Sequence, residues 1–408
     1  MINPRYIKIL IILTIVTVFE LSIKTTQAQS EDKYVVVLSM DAFRWDYTTI
    51  TSTPVLDSIA TIGVKAQSFK PAFPTLTFPN HYSLATGLYP DNHGIVSNNF
   101  YDDSLKAVYR IGDRVSVEDG RFYGGEPIWV TAEKQGMISA SFYWVGSEAP
   151  IQGIQPTYWK KYDGNVSFEN RIDTVIAWLQ KPEDKRPHLI MFYFDEPDAI
   201  AHKFGPGAPQ VNTMVTYLDS LVGVFIKKIN ALPIGNKINF IIVSDHGMAE
   251  TSSERVIDLS KYIKKEWVSR SHGGNPSVII KTAANCEDSI LTALSTVKNL
   301  KSWKTSEVPE RLHYGKNPRT MDILVLADIN WVIGWNSKNK SFKGGAHGYD
   351  NNEPDMLGIF YAIGPDFKNG YLHKQIEGVD LYPLLTKLLN LKPAITDGKL
   401  LNTLDMLK

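Results

Sequence analysis

One cysteine, Cys286, stands in 408 residues, so no internal disulfide can form. No cysteine sits near the N-terminus to accept a lipid either. Charge of one sign is missing as well: 43 basic residues balance 43 acidic ones. That excludes a strong field for nucleic acid or an anionic membrane, so no nucleic-acid-binding surface is expected. A long apolar run is also lacking. The uncharged stretch from Ile9 to Phe19 is 11 residues, well short of the roughly 20 a spanning helix needs. Internal repeats, low-complexity tracts and long linkers are absent too, which points to one large domain.

The N-terminus reads as an export signal over residues 1–28. Arg5 and Lys8 begin it, the apolar run follows, and Thr26-Gln27-Ala28 places small residues at −3 and −1 of a cleavage site. Its removal takes three cations and one anion, leaving a net charge of −2 on residues 29–408 and no stable membrane span. An exported chain without disulfides suits a bacterial periplasm, with secretion the wider expectation.

Strand-like apolar runs occur at 34–40, 189–194, 238–243, 277–280, 323–326 and 357–363. Amphipathic helical patterns lie between them at 53–62, 168–179 and 212–229, with a closing helix at 377–391. The alternation implies an α/β fold with a mostly parallel sheet covered on both faces. Polar, Gly-rich stretches near 110–126 and 332–346 read as excursions from that domain.

Ligands gather beyond the carboxyl ends of such strands. Asp41, Asp198 and Asp245 each follow a strand-like run by a few residues. Three histidines accompany them. Asp198 and His202 are four apart and share a face if helical. Asp245-His246 precede Gly247, and His347 stands between Gly345 and Gly348 in the chain, where backbone freedom lets it reach a crowded site. Three Asp and three His suffice for two zinc-type sites of three protein ligands each. A single such residue is more often a cap or a satisfied polar group; the joint pattern is what points to metal. The segment 74–81, Pro-Thr-Leu-Thr-Phe-Pro-Asn-His, supplies hydroxyls that such a pair could activate, suggesting a hydrolase with a covalent threonine intermediate. The other six histidines (His81, His93, His188, His272, His313, His373) read as ordinary polar residues, His81 least securely, beside those hydroxyls.

The run from Pro74 to Ile95, together with Glu196-Pro-Asp-x-x-x-His202, Ser244-Asp-His-Gly-Met248 and Gly344-Gly-x-His-Gly348, resembles nucleotide pyrophosphatase/phosphodiesterases of the alkaline phosphatase superfamily. The likeness runs from about Tyr34 to Leu391. It implies a three-layer α/β/α sandwich, alkaline phosphatase-like, as a compact, bacterial-type catalytic core spanning 29–408. It implies that Thr77 is the nucleophile. Asp198, His202 and His347 would hold one zinc; Asp41, Asp245, His246 and the Thr77 oxygen would hold the second. Asn98 matches the asparagine that, with the Thr77 amide, grips a phosphate oxygen. Phe78, Tyr162 and Tyr193 resemble positions lining a slot for the nucleotide base.

The implied reaction is hydrolysis of nucleotide phosphodiester and pyrophosphate bonds, releasing nucleoside 5′-monophosphates through a threonyl-nucleotide intermediate. Choline-type or lysophospholipid diesters are the alternative substrates for the same metals. The sulfatase signature Cys-x-Pro-x-Arg is missing, since Cys286 lies in Asn-Cys-Glu-Asp. No arginine near Thr77 in the sequence offers a clamp for a phosphate dianion, which favours a diester over a monoester. The sequons at Asn165 and Asn339 matter only in a eukaryotic host.

Overall fold

The chain is described by a computed structural model over residues 33–337 and 342–408; the export signal read at 1–28 and the sequon at Asn339 lie outside these. The central sheet has eight strands: β1 (Tyr34–Met40), β2 (Val64–Ala66), β3 (Ser139–Phe142), β4 (Tyr158–Lys160), β5 (Leu189–Phe194), β6 (Ile238–Val243), β7 (Phe360–Ile363) and β8 (Tyr371–His373). Their spatial order is β8-β2-β7-β6-β1-β5-β3-β4. All run the same way except β7, which is antiparallel to both β6 and β2.

A continuously apolar strand needs cover on both sides, and β1 receives it. Val35 and Val37 point into one core, Tyr34, Val36, Leu38 and Met40 into the other. The first core is closed by α2 (Thr77–Thr86) and α6 (Leu381–Leu388); the second by α1 (Pro54–Ile62), α3 (Phe168–Leu179) and α5 (Pro209–Asn230). In α5 the stripe Val215, Leu218, Leu221, Val222, Phe225, Ile229 is buried throughout. Each such side chain contributes roughly 1.5–3 kcal/mol on burial. The expected three-layer α/β/α sandwich is therefore what forms. Among the described residues no helix is long and apolar enough to cross a membrane.

Two expectations change. The runs at 277–280 and 323–326 are strands, but they belong to a separate sheet. Ser277–Thr282 and Ile323–Ala327 pair antiparallel with each other and with Val268–Gly273 and Leu300–Lys304. This sheet has its own core around Val278, Ile280, Ile290 and Val325. The run at 357–363 becomes a strand only at Phe360. Gly358 exchanges hydrogen bonds with Phe69 across an isolated bridge, and a Cβ there would meet Ser244 Oγ at 2.2 Å.

Adjacent parallel β6, β1 and β5 bring three carboxyl ends side by side. Asp245, Asp41 and the turn leading to Asp198 emerge there together.

Candidate metal and substrate site

Helix α2 starts the site. Leu76 before it is extended, and Pro79 falls in the first turn, where its missing N–H costs nothing. Asn80 pins the approach: its Oδ1 accepts from Ala72 N at 2.7 Å, and its Nδ2 donates to the Pro74 and Leu76 carbonyls at 2.9 and 3.0 Å. Thr77 is thus held at the first position of the helix. Thr75, the other candidate hydroxyl, is fully buried and bonded to Tyr349 O and Gly348 N. Only Thr77 turns toward the histidines, its Oγ1 3.2 Å from His246 Nε2.

The structure brings all six expected ligands together. Asp198 and His202 lie on one face of α4 (Asp198–Phe204), with His202 Nε2 3.4 Å from Asp198 Oδ1. His347 Nε2 stands 3.0 Å from His202 Nε2 and 3.5 Å from Asp198 Oδ1. On the other side, His246 Nε2 lies 3.4 Å from Asp41 Oδ1 and 3.0 Å from Asp245 Oδ2. The two sets adjoin, because His246 is also close to Asp198 and His347, all donor atoms within 4.8 Å of one another. The shorter contacts still group His202 with Asp198 and His347, as the resemblance implies.

The donor chemistry fits bound cations. His202, His246 and His347 each place Nδ1 against a carbonyl, of Gly345, Gly247 and Thr75, at 2.8, 2.8 and 2.9 Å. A carbonyl only accepts, so Nδ1 carries the proton and Nε2 presents a bare lone pair, the tautomer of a metal ligand. Two bare nitrogens 3.0 Å apart repel unless positive charge lies beside both. Asp41 Oδ1, Asp198 Oδ1 and Asp245 Oδ2 are buried and receive no hydrogen bond. Such atoms are costly without a charged partner.

Electrostatics show how crowded the charges are: burial opposes a charge on His246, yet Asp245 and Asp198 raise its pKa, so the carboxylates that would attract a cation also favour a proton there. Burial, then the charges of Asp245 and Asp198, hold the Asp41 carboxyl well above the usual range, and burial raises Asp198. Asp245 goes the other way: burial opposes its ionisation, but His246 and His81 hold it well below. Burial, with His246 and His202 nearby, lowers His347 strongly.

Close packing of α4 against the strand Gly344–Ala346 sets His202 in place. Gly344 has φ +125°, and a Cβ there would sit 2.0 Å from the His202 carbonyl. Only glycine permits the approach that lets His202 reach Gly345.

Beside the ligands opens a cleft of about 410 Å³, bounded by Thr77, Phe78, Tyr143, Tyr162, Tyr193 and Glu148, among others. The three expected aromatics all line it. Tyr143, unread in the sequence, joins them, its ring 5.0 Å from that of Tyr162. Its one signal was position, directly after β3 at the carboxyl edge of the sheet. Tyr193 is buried and does more than line the wall: its hydroxyl donates to Asp41 Oδ2 at 2.5 Å. Asn98 Oδ1 accepts from Phe78 N at 3.1 Å, orienting its amide beside the helix start. An arginine does reach the cleft. Arg114 is bound to Glu118 and Glu148, so its charge is already matched.

Residues 35–350 match the family model described as type I phosphodiesterase / nucleotide pyrophosphatase. The chain is 34% identical over 389 residues to ectonucleotide pyrophosphatase/phosphodiesterase family member 5 of Homo sapiens, covering 95% of this chain and 81% of that one. Family member 3 of Rattus norvegicus is 33% identical over 374 residues; these are 89% of this chain but 43% of the rat protein, so the chain spans less than half its length. A solved structure of murine member 5, an inactive threonine-to-alanine variant in complex with AMP, superposes with a TM-score of 0.88 at 35% identity, covering 92% of this chain and 100% of that one.

Proposed function

The chain belongs to the type I phosphodiesterase / nucleotide pyrophosphatase family, and on that premise we propose that it is an exported, zinc-dependent hydrolase of nucleotide phosphodiester and pyrophosphate bonds. Its product is a nucleoside 5′-monophosphate. The observation that carries this reading is the convergence of three bare imidazole nitrogens and three unbonded carboxylate oxygens on one side of Thr77 Oγ1. Donors at about 2.0–2.1 Å on tetrahedral zinc sit roughly 3.3 Å apart; the separations within each set, 3.0–3.5 Å, suit two such ions. Asp198, His202 and His347 would hold one; Asp41, Asp245, His246 and Thr77 Oγ1 the other.

When bound, the cations supply Lewis acidity that favours loss of the Thr77 hydroxyl proton and offsets charge growing on the phosphate. Thr77 Oγ1 then attacks phosphorus. The bond to the leaving oxygen breaks, and that oxygen departs with the electron pair and takes up a proton. Water later attacks the same phosphorus, releasing the nucleotide and restoring the threonine hydroxyl. The oriented Asn98 amide and the α2 N-terminus are placed to meet the non-bridging oxygen. Phe78, Tyr162, Tyr193 and Tyr143 offer ring faces to the base.

Two observations favour a nucleotide diester. Arg114 is neutralised by Glu118 and Glu148, which leaves no free guanidinium there for a dianion. The complex of the murine relative with AMP fits the same choice. Export follows from the reading of residues 1–28 and fits relatives named as ectoenzymes.

The test is Thr77→Ala, assayed on the nitrophenyl esters of thymidine 5′-monophosphate and of phosphocholine. Wild type should prefer the nucleotide ester; the variant should lose at least roughly 10⁴-fold in turnover while retaining zinc. An active variant would remove Thr77 as nucleophile, and a preference for phosphocholine would change the substrate.

A further inference from the structure

We propose that His81 is a positioning residue whose single ring N–H ties the nucleophile to a cation ligand, holding Thr77 and Asp245 in fixed relation. The inference rests on the function proposed above. His81 follows Thr77 by four residues on α2, so both share a helix face. It is fully buried. Its Nδ1 lies 3.0 Å from the Thr77 carbonyl and 3.2 Å from Asp245 Oδ2, while Nε2 lies 2.9 Å from Ser39 Oγ. Carbonyl and ionised carboxylate only accept, so Nδ1 carries the proton: it donates to the Thr77 carbonyl, and its positive edge lies against Asp245 Oδ2, which receives no hydrogen bond. Nε2 then accepts from the Ser39 hydroxyl.

The ring has little freedom to leave this position. Trp144 and Tyr193 pack edge-on against it at 5.2 and 5.0 Å, and Trp144 Nε1 donates to the His81 carbonyl at 2.9 Å. Asp245 is held at both oxygens: Ala42 N–H donates to Oδ1 at 3.1 Å, and His81 stands at Oδ2. Asp245 Oδ2 also lies 3.0 Å from His246 Nε2, which in turn is 3.2 Å from Thr77 Oγ1. One imidazole therefore sets where the attacking oxygen stands relative to the Asp41–Asp245–His246 set. The role is orientation through Thr77 and Asp245; His81 itself touches no reacting atom.

Packing and hydrogen bonding can be separated by three variants of the full protein. His81→Asn returns an N–H near the Nδ1 position, His81→Phe restores volume without a donor, and His81→Ala removes both. Zinc retention against graded chelator is measured with kcat and KM on the thymidine nitrophenyl ester. Outer partners of metal ligands are typically worth 10–100-fold in affinity or activity. Phe and Ala should lose one zinc equivalent 10–100-fold more readily and lose kcat similarly, with KM within about twofold; Asn should recover much of both. A Phe variant equal to wild type, or better than Asn, overturns the proposal. If none folds, the long-range ¹H–¹⁵N spectrum of zinc-loaded wild type decides: His81 must carry its proton on Nδ1, and a bare Nδ1 overturns it. Wild type that binds no zinc or cleaves no diester sinks the functional reading itself, and is told apart because it needs no variant.

Discussion

Tyr193 combines two roles that substitution can separate. Its ring lines the cleft, while its hydroxyl steadies Asp41 Oδ2 at 2.5 Å. Tyr193→Phe should weaken zinc at the Asp41 set and lower kcat about tenfold with KM unchanged; Tyr193→Ala should raise KM for nucleotide esters as well. Steady-state kinetics under zinc titration reads both. Tyr162 is 41% exposed, so its stacking belongs at the low end of roughly 1–3 kcal/mol. Tyr162→Ala should raise KM about fivefold. At this scale the sequence was legible for Asp and His, whose chemistry resides in their type. It was silent on the Tyr193–Asp41 contact, because the two are 152 residues apart and meet only when β1 pairs with β5. The same silence surrounded the contacts of His81, whose neighbours Ser39 and Asp245 come from β1 and the turn after β6.

Among elements, the helix α4 and the strand Gly344–Ala346 show how tightly the site depends on backbone approach. Gly344→Ala would place a Cβ 2.0 Å from the His202 carbonyl and strain a backbone at φ +125°. The expected outcome is about 1–3 kcal/mol of lost stability and selective loss of metal from the candidate set Asp198, His202 and His347. Thermal unfolding with metal analysis checks it; an unchanged zinc content would show that the strand can shift without cost. Long apolar strands were readable because burial on both faces removes polar residues. Val64–Ala66 and Tyr371–His373 were not, being three residues each with mixed polarity. An apolar run also carries no label for its sheet, and so Ser277–Thr282 could not be told from a strand of the central one.

The whole molecule responds to acid through groups remote from the candidate metal ligands. His93 is fully buried; its Nδ1 accepts from Ile95 N at 3.1 Å and its Nε2 meets Ser83 Oγ at 2.9 Å. Burial, which the hydrogen bonds of its ring only partly offset, pushes its pKa from 6.5 down to about 3. Between those values the folded state binds fewer protons than the unfolded chain, so stability is complete above pH 6.5 and declines as pH falls toward 3. The loss is about 2 kcal/mol at pH 5. In chelator, His93→Gln should flatten the fall in denaturant stability between pH 7.5 and 5 by that amount; an identical slope would acquit His93. Composition and motif order determined by themselves the class of fold, the ligand types and the threonine segment, because hydrophobic period and side-chain chemistry are local properties. Only tertiary structure decided which ring nitrogens stay bare and which tyrosine steadies an aspartate. Those depend on distances of a few ångströms between residues up to 272 positions apart, set by how the strands line up.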